Sequence, residues 1–128
     1  MAYQYNKKFN IINKICFKGK LPKVIITVFK RWPKKSGGDK NTIGMTKVYK
    51  VYEGIGDIRK FPDEVCIELL LCKNIGDMTL TLLHEMIHYR YVLNRNKMHH
   101  GKQFRKRERK LAKKLIPFCP EIHGRIVN

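Results

Sequence analysis

Residues 84–88 read His84-Glu85-Met86-Ile87-His88, the one part of the chain where the order of residue types indicates a reaction. On an α-helix, two histidines at positions i and i+4 lie on one face about one turn apart, so their imidazoles can converge on one cation. Glu85 lies to the side of that pair, where a carboxylate can take a proton from water without binding the metal. The pattern H-E-x-x-H therefore predicts a helix that carries a zinc site.

The residues around this stretch predict the helix that the motif requires. Asp77 is a preferred N-cap residue, and apolar residues at helical spacing follow it, so a helix is expected over residues 78–94. The residues expected to face the core are Leu80, Leu83, Met86 and Ile87. The helix thus packs apolar residues beside its histidines.

Two further helices are predicted from apolar residues at helical spacing. The first spans residues 5–17, with Gly19 available to end it, and the last spans residues 102–115, with Pro117 closing it. One face of the last helix carries Phe104, Glu108, Leu111 and Leu115. The opposite face is strongly basic and carries Lys102, Lys106, Arg109 and Lys113.

Three runs rich in β-branched and apolar residues predict strands at 24–29, 42–52 and 65–72. The first has the composition of a largely buried strand, and the third has two unlike faces. We expect one α+β domain over residues 1–128, in which an N-terminal helix and a three-stranded, mostly antiparallel sheet pack on the motif helix and the C-terminal basic helix. No structure is predicted for the tail, residues 118–128.

The chain is strongly basic, with 28 Lys and Arg residues against 10 Asp and Glu and a formal charge of +18. Such an excess attracts polyanions, so nucleic acid is the leading candidate partner, ahead of an anionic membrane surface and of a basic composition without a dedicated partner. The expected contact residues are Lys102, Lys106, Arg109 and Lys113 on the last helix, and Arg31, Lys34 and Lys35 in the loop after the first strand. Trp32, in the same loop, is expected to cover the edge of the core rather than to stack on a base.

The four cysteines predict reduced thiols rather than a metal or redox motif, because no C-x-x-C pair occurs. Cys66 and Cys72 lie on one predicted strand about 20 Å apart, too far to share one ion. The N-terminus lacks an apolar signal core, and no run approaches the length of a transmembrane helix. We therefore expect an intracellular protein, in the cytoplasm or at the nucleoid, or in the host cytoplasm or virion if it is viral.

A catalytic zinc usually takes three protein ligands and keeps a fourth position open for water. His84 and His88 supply two, and the third is expected downstream, where the candidates are His99, His100, Glu108, Glu121 and His123. Glu108 follows the second histidine by about twenty residues, which is the pattern of thermolysin-type enzymes. A buried glutamate on that helix would equally serve to orient a ligand histidine.

The order of three elements resembles the SprT-like metalloprotease domain, a family that includes the Spartan proteases that degrade proteins crosslinked to DNA. The elements are the strand at 65–71, the H-E-x-x-H helix, and His100-Gly101-x-x-Phe104 opening a basic helix. The resemblance covers about residues 21–115, where we expect the domain core.

This resemblance implies a small zincin-like fold and one zinc ion per chain. By the match of motifs, the zinc ligands are His84, His88 and His100, and Glu85 is the general base. His99 is then a neighbour, and Glu108 is either an alternative ligand or a residue that orients one. Two features depart from the family pattern: the segment between His88 and His100 is short, and the cysteine-rich zinc ribbon that follows the protease domain in many members has no counterpart.

The leading interpretation is a zinc-dependent endopeptidase that acts on nucleic-acid-associated proteins, with the strand at 65–71 holding an extended substrate by edge pairing. Tyr89, Tyr91 and His99 are the candidates for stabilising the oxyanion. The alternative is a non-catalytic nucleic-acid-binding or structural module that uses zinc only for folding. A weaker alternative is a metallohydrolase that acts on bonds other than peptides.

Overall fold

The computed structural model describes residues 4–32, 44–49, 64–70, 74–93 and 101–125, which contain three α-helices, three strands and a short 3-10 helix. The helices are α1 (Tyr5–Phe17), α2 (Ile75–Leu93) and α3 (Lys102–Leu115), and the strands are β1 (Ile25–Phe29), β2 (Gly44–Tyr49) and β3 (Glu64–Leu70). The predicted α+β class is therefore confirmed. Among the described residues, no helix is long and apolar enough to cross a membrane.

The sheet has the strand order β1-β3-β2, with β3 in the centre. β3 pairs parallel to β1 and antiparallel to β2, so the sheet is mixed rather than mostly antiparallel as predicted. Strand composition does not specify which strands pair, because pairing depends on contacts distant in sequence. The two unlike faces predicted for the third strand are confirmed, since Ile67 and Leu69 are buried while Cys66, Glu68 and Leu70 are half-buried.

The first strand differs from its prediction, because β1 buries one face only. Ile26 is 6% exposed, whereas its neighbour Ile25 is 67% exposed. Within the described residues β1 lies at an edge of the sheet, so its outward side chains have less cover than a central strand would give. The half-buried Trp32 packs on Phe29 at the end of β1, with ring centroids 5.8 Å apart, and its expected role as a cover for the core stays a prediction.

The motif helix α2 begins earlier than predicted. Its N-cap is Asn74 and not Asp77, because the Asn74 Oδ1 accepts a hydrogen bond from the backbone N–H of Asp77 at 3.0 Å. Asn and Asp are both good capping residues, so the sequence offers two starting points a few residues apart. The core side of α2 contains the predicted Leu83, Met86 and Ile87, all fully buried, together with Leu82.

Helices α1 and α3 have the predicted bounds and pack against α2 and each other. α1 ends in the left-handed region at Lys18 and Gly19, whose φ angles are 55° and 72°. The predicted apolar face of α3 is confirmed, with Phe104 and Leu115 buried and Glu108 and Leu111 half-buried. α3 therefore turns a core face inward and leaves its basic face exposed.

The tail, for which no structure was predicted, completes the core. A short 3-10 helix spans Pro120–Ile122, and Cys119 and Ile122 are fully buried. The Glu121 carboxylate lies 2.7 Å from the Lys8 Nζ and accepts a hydrogen bond of 2.8 Å from the Thr79 hydroxyl. Partial burial alone would raise the pKa of Glu121, but these partners outweigh it and lower that pKa. Through Glu121 the tail thus contacts both α1 and the start of α2.

Cys16 and Cys119 are free thiols, Cys66 is half-buried on β3, and Cys72 lies outside the described residues. Burial raises the pKa of the Cys16 thiol to about 11, with a smaller opposing effect from Lys114. A thiol with such a raised pKa is protonated and unreactive at neutral pH. For Cys16 this favours the structural role predicted from the sequence.

Candidate active site

Helix α2 brings His84, Glu85 and His88 to one cleft. The Nε2 atoms of His84 and His88 are 3.2 Å apart, and their rings meet edge to face. Two imidazoles on one tetrahedral zinc, each about 2.0–2.1 Å from the metal, would have nitrogens about 3.3 Å apart. The i, i+4 spacing therefore produces the convergence that it predicts.

Strand β2 forms the other wall of this cleft, which has a volume of about 270 Å³. Gly44, Met45, Thr46 and Lys47 line it opposite the three motif residues. The Thr46 hydroxyl lies 2.8 Å from Oε1 of Glu85 and 3.0 Å from the Glu85 backbone oxygen. Glu85 is only 4% exposed, so a polar partner on β2 offsets part of the cost of burying its carboxylate.

The inner face of helix α3 contacts His84. The Glu108 Oε2 lies 2.5 Å from His84 Nδ1, the ring nitrogen on the side away from the Nε2 that faces His88. The ring of Phe104 packs against both histidines, with centroids 5.0 Å from His84 and 4.8 Å from His88. Glu108 thus contacts a histidine in the manner of a residue that orients a metal ligand.

Burial and charge shift the pKa values of two site residues. Burial is the largest effect on Glu85 and raises its pKa, while the Thr46 hydroxyl and His84 act against that rise. For His84, burial alone would lower the pKa, but the hydrogen bond and charge of Glu108 outweigh it, so the pKa is raised. The site therefore contains a carboxyl group that is protonated more easily than an ordinary glutamate.

The other predicted ligand candidates lie elsewhere or outside the described residues. His99 and His100 are outside them, and within them no group of three or more His, Cys, Asp or Glu side chains forms a metal site. Glu121 is engaged by Lys8 and Thr79, and His123 is exposed. The structure therefore brings together His84 and His88 with Glu85, and adds Glu108 behind His84.

Of the oxyanion candidates, Tyr89 donates its hydroxyl hydrogen to the carbonyl oxygen of Pro22 at 3.1 Å and is buried. That hydroxyl is engaged away from the cleft residues, which disfavours Tyr89 for this role. Tyr91 is half-buried and packs edge to face on Phe104, with centroids 5.7 Å apart. His99 lies outside the described residues.

The predicted nucleic-acid residues on α3 are exposed. Lys102, Lys106, Arg109 and Lys113 all lie on its outer side, as does Arg105, and Arg31 after β1 is also exposed. Lys34 and Lys35 lie outside the described residues. The one acidic residue of α3, Glu108, points inward to His84, so α3 itself contributes no carboxylate to its outer side.

Gly44 and Thr46 lie beside Glu85 but are not among the site residues predicted from the sequence. Both belong to a predicted strand, but a small residue and a hydroxyl two positions apart are common in strands and indicate no site. Their alternation does predict that they share one face of the sheet. Which helix that face meets depends on a contact between residues 39 apart in the chain.

A model of the SprT-like family matches residues 5–123 of the chain. The matched region extends beyond the predicted 21–115 at both ends and includes α1 and the 3-10 helix of the tail. No curated protein and no solved structure matches the chain. With the family match spanning nearly its whole length, and the H-E-x-x-H helix at its centre, the chain belongs to the SprT-like family.

Proposed function

We propose that the protein is a zinc-dependent endopeptidase. The observation that carries this proposal is the convergence of two imidazole Nε2 atoms, 3.2 Å apart, beside the buried carboxylate of Glu85. Membership of the SprT-like family supports a metalloprotease-like function. A site used only for folding gains nothing from a carboxylate buried next to its metal, which favours the enzyme over the non-catalytic module.

The residues present fit a zinc ion. His84 and His88 would bind it through Nε2, and His100, which the family motif indicates, would be the third ligand. Glu108 is the rival for that position, but its contact with Nδ1 of His84 supports the orienting role instead. A carboxylate that accepts the Nδ1 hydrogen fixes the tautomer of the ring and leaves Nε2 to the metal.

Zinc, when bound, supplies Lewis-acid polarisation of the scissile carbonyl and lowers the pKa of a coordinated water toward about 7. Glu85 accepts the proton of the attacking water on its carboxylate and then donates it to the leaving amine. The burial of Glu85 at 4% exposure keeps competing water away from this carboxylate. Strand β2 and helix α2 form the two sides of the cleft, and an extended peptide would lie between them.

An extended substrate is expected to pair with β2 and not with β3. The prediction that the strand at 65–71 holds the substrate by edge pairing is wrong, because β3 is the central strand and both of its edges are taken by β1 and β2. Within the described residues β2 pairs only with β3, and it also lines the cleft beside Glu85. Backbone pairing of this kind selects extended, unfolded chains more than particular side chains.

The direct test of this proposal is metal removal. The zinc-loaded protein should cleave an unfolded protein substrate, lose that activity with a zinc chelator, and regain it when one equivalent of zinc is returned. Fragments identified by mass spectrometry would define the cleaved bonds. Equal cleavage before and after chelation would contradict the proposal, since no zinc chemistry would then be involved.

We further propose that nucleic acid positions the enzyme through the outer side of α3. Five exposed basic residues share that side and none is matched there by an acidic residue of the helix: Lys102, Arg105, Lys106, Arg109 and Lys113. A helix of fourteen residues is about 21 Å long, so these charges can follow several phosphates of a duplex. Phosphate contacts of this kind position a protein without selecting a sequence.

This surface predicts a salt-dependent affinity for DNA. Replacing Lys106 and Arg109 with Gln should lower the affinity and reduce the slope of log K against log salt by about 2, since each lost phosphate contact accounts for about 0.9. The matched control replaces Lys20 and Lys23, exposed lysines between α1 and β1, with Gln for the same change in charge. An affinity that does not change with salt, or equal losses in both variants, would rule out α3 as the binding surface.

A further inference from the structure

Two residues of β2, Gly44 and Thr46, lie against Glu85 of α2. They are two positions apart, so they lie on one face of the strand. They pair with Leu69 and Ile67 on β3, whose side chains are buried in the core. The face of the sheet that carries the core thus also carries the contacts to the proposed general base.

The contact from Thr46 is a hydrogen bond to a specific carboxylate oxygen. Its hydroxyl lies 2.8 Å from Oε1 of Glu85, and 3.0 Å from the Glu85 backbone oxygen. A hydroxyl carries one hydrogen, and the carboxylate is both the nearer and the charged acceptor. Oε1 is thereby held by the sheet, and Oε2 is the oxygen that remains for the water.

Gly44 contributes by having no side chain. A Cβ atom added at Gly44 would lie 2.6 Å from Cγ2 of Thr81 and 2.9 Å from Oε2 of Glu85. Both distances are shorter than real Cβ contacts, so any side chain here would push the carboxylate or the helix away from β2. The glycine lets the strand approach the helix closely enough for the Thr46 hydrogen bond to form.

We propose that Thr46 is a positioning residue for Glu85, and that Gly44 provides the close approach it needs. This inference rests on the proposed function, in which Glu85 is the general base. A glutamate side chain has three rotatable bonds, and a base displaced by about 1 Å from its productive position can lose about a hundredfold in rate. By holding Oε1, Thr46 fixes the direction in which Oε2 meets the water.

The test compares Thr46→Val, which keeps the shape of the side chain and removes its hydroxyl, with Thr46→Ser, which keeps the hydroxyl. In the zinc-loaded protein, Thr46→Val should lower kcat about ten- to a hundredfold with KM nearly unchanged, and Thr46→Ser should restore most of it. Thr27→Val, at an exposed threonine of β1 in the same sheet, is the matched control and should leave kcat unchanged. A Thr46→Val variant as active as the control would overturn the proposal.

A crystal structure of each zinc-loaded Thr46 variant gives a second readout that does not depend on turnover. The Glu85 carboxylate should leave its position beside β2 in Thr46→Val and keep it in Thr46→Ser. A carboxylate that stays in place in Thr46→Val would overturn the proposal whatever the kinetics. If the wild type cleaves no peptide, the proposed function fails, and the positions of Glu85 in these structures still decide the role of Thr46.

Discussion

Replacement of Glu85 by Gln should lower peptide cleavage by about 10²- to 10⁴-fold while zinc stays bound, because the amide cannot accept the proton of the attacking water. Glutamine retains an oxygen that can accept the Thr46 hydrogen bond, so the fold of the cleft should be kept. The measurement is kcat/KM on an unfolded protein substrate, with zinc content determined on the same samples.

Zinc content separates the possible outcomes for this variant. Full zinc occupancy with lost cleavage identifies Glu85 as a catalytic residue rather than a part of the metal site. Cleavage by Glu85→Gln at the wild-type rate would show that another group removes the proton. A zinc-loaded wild type that cleaves no protein, with or without DNA, would favour the non-catalytic module.

The second large effect is expected on the affinity for zinc. Alanine at His84, His88 or His100 should each empty the site at stoichiometric zinc, because two remaining ligands hold the ion far more weakly than three. Glu108→Gln should instead weaken zinc binding by about 10- to 100-fold, which is the usual cost of losing a residue that orients a ligand histidine. Zinc affinity is measured by competition with a chelating dye.

The controls for zinc binding use residues outside the cleft. His123→Ala removes an exposed histidine and should leave zinc affinity unchanged. If Glu108→Ala empties the site while His100→Ala does not, then Glu108 is the third ligand and the role assigned to His100 is wrong. The contact between Glu108 and Nδ1 of His84 argues against that outcome, since it gives Glu108 the orienting role.

Helices were the part of the fold that the sequence predicted best. The bounds of α1 and α3 agree with the predictions, because their apolar residues recur at helical spacing and breakers such as Gly19 and Pro117 follow. The start of α2 was placed too late, since Asn74 and Asp77 are both capping residues. Apolar spacing and capping residues therefore predict where a helix lies but leave its first turn ambiguous.

Strand pairing and the tail could not be predicted from local signals. The parallel pairing of β1 with β3 depends on contacts between residues about 40 positions apart, such as Ile26 with Ile67. The composition of β1 indicated burial, yet its edge position exposes Ile25. The tail has no periodic pattern, and its order comes from Cys119 and Ile122 filling the core beside α1 and α2.

The candidate site also has a part that local sequence predicts and a part that only tertiary structure shows. His84, Glu85 and His88 lie within one helical turn, so their spacing alone predicted their convergence. The spacing of Glu108 from His88 and its place on the apolar face of α3 predicted either a third ligand or a residue that orients one, and its contact with Nδ1 of His84 favours the second role. Thr46 comes from a strand 39 residues away, and only tertiary structure brings it to Glu85.

The zinc-loaded Glu85→Gln protein with a bound, uncleaved peptide gives the most direct test, by crystallography at a wavelength that identifies the metal. We predict zinc on Nε2 of both motif histidines and on His100, with Glu108 on Nδ1 of His84 and the peptide extended along β2. Zinc bound elsewhere in the chain, or a peptide held away from β2 and the H-E-x-x-H helix, would contradict a zinc peptidase centred on this cleft.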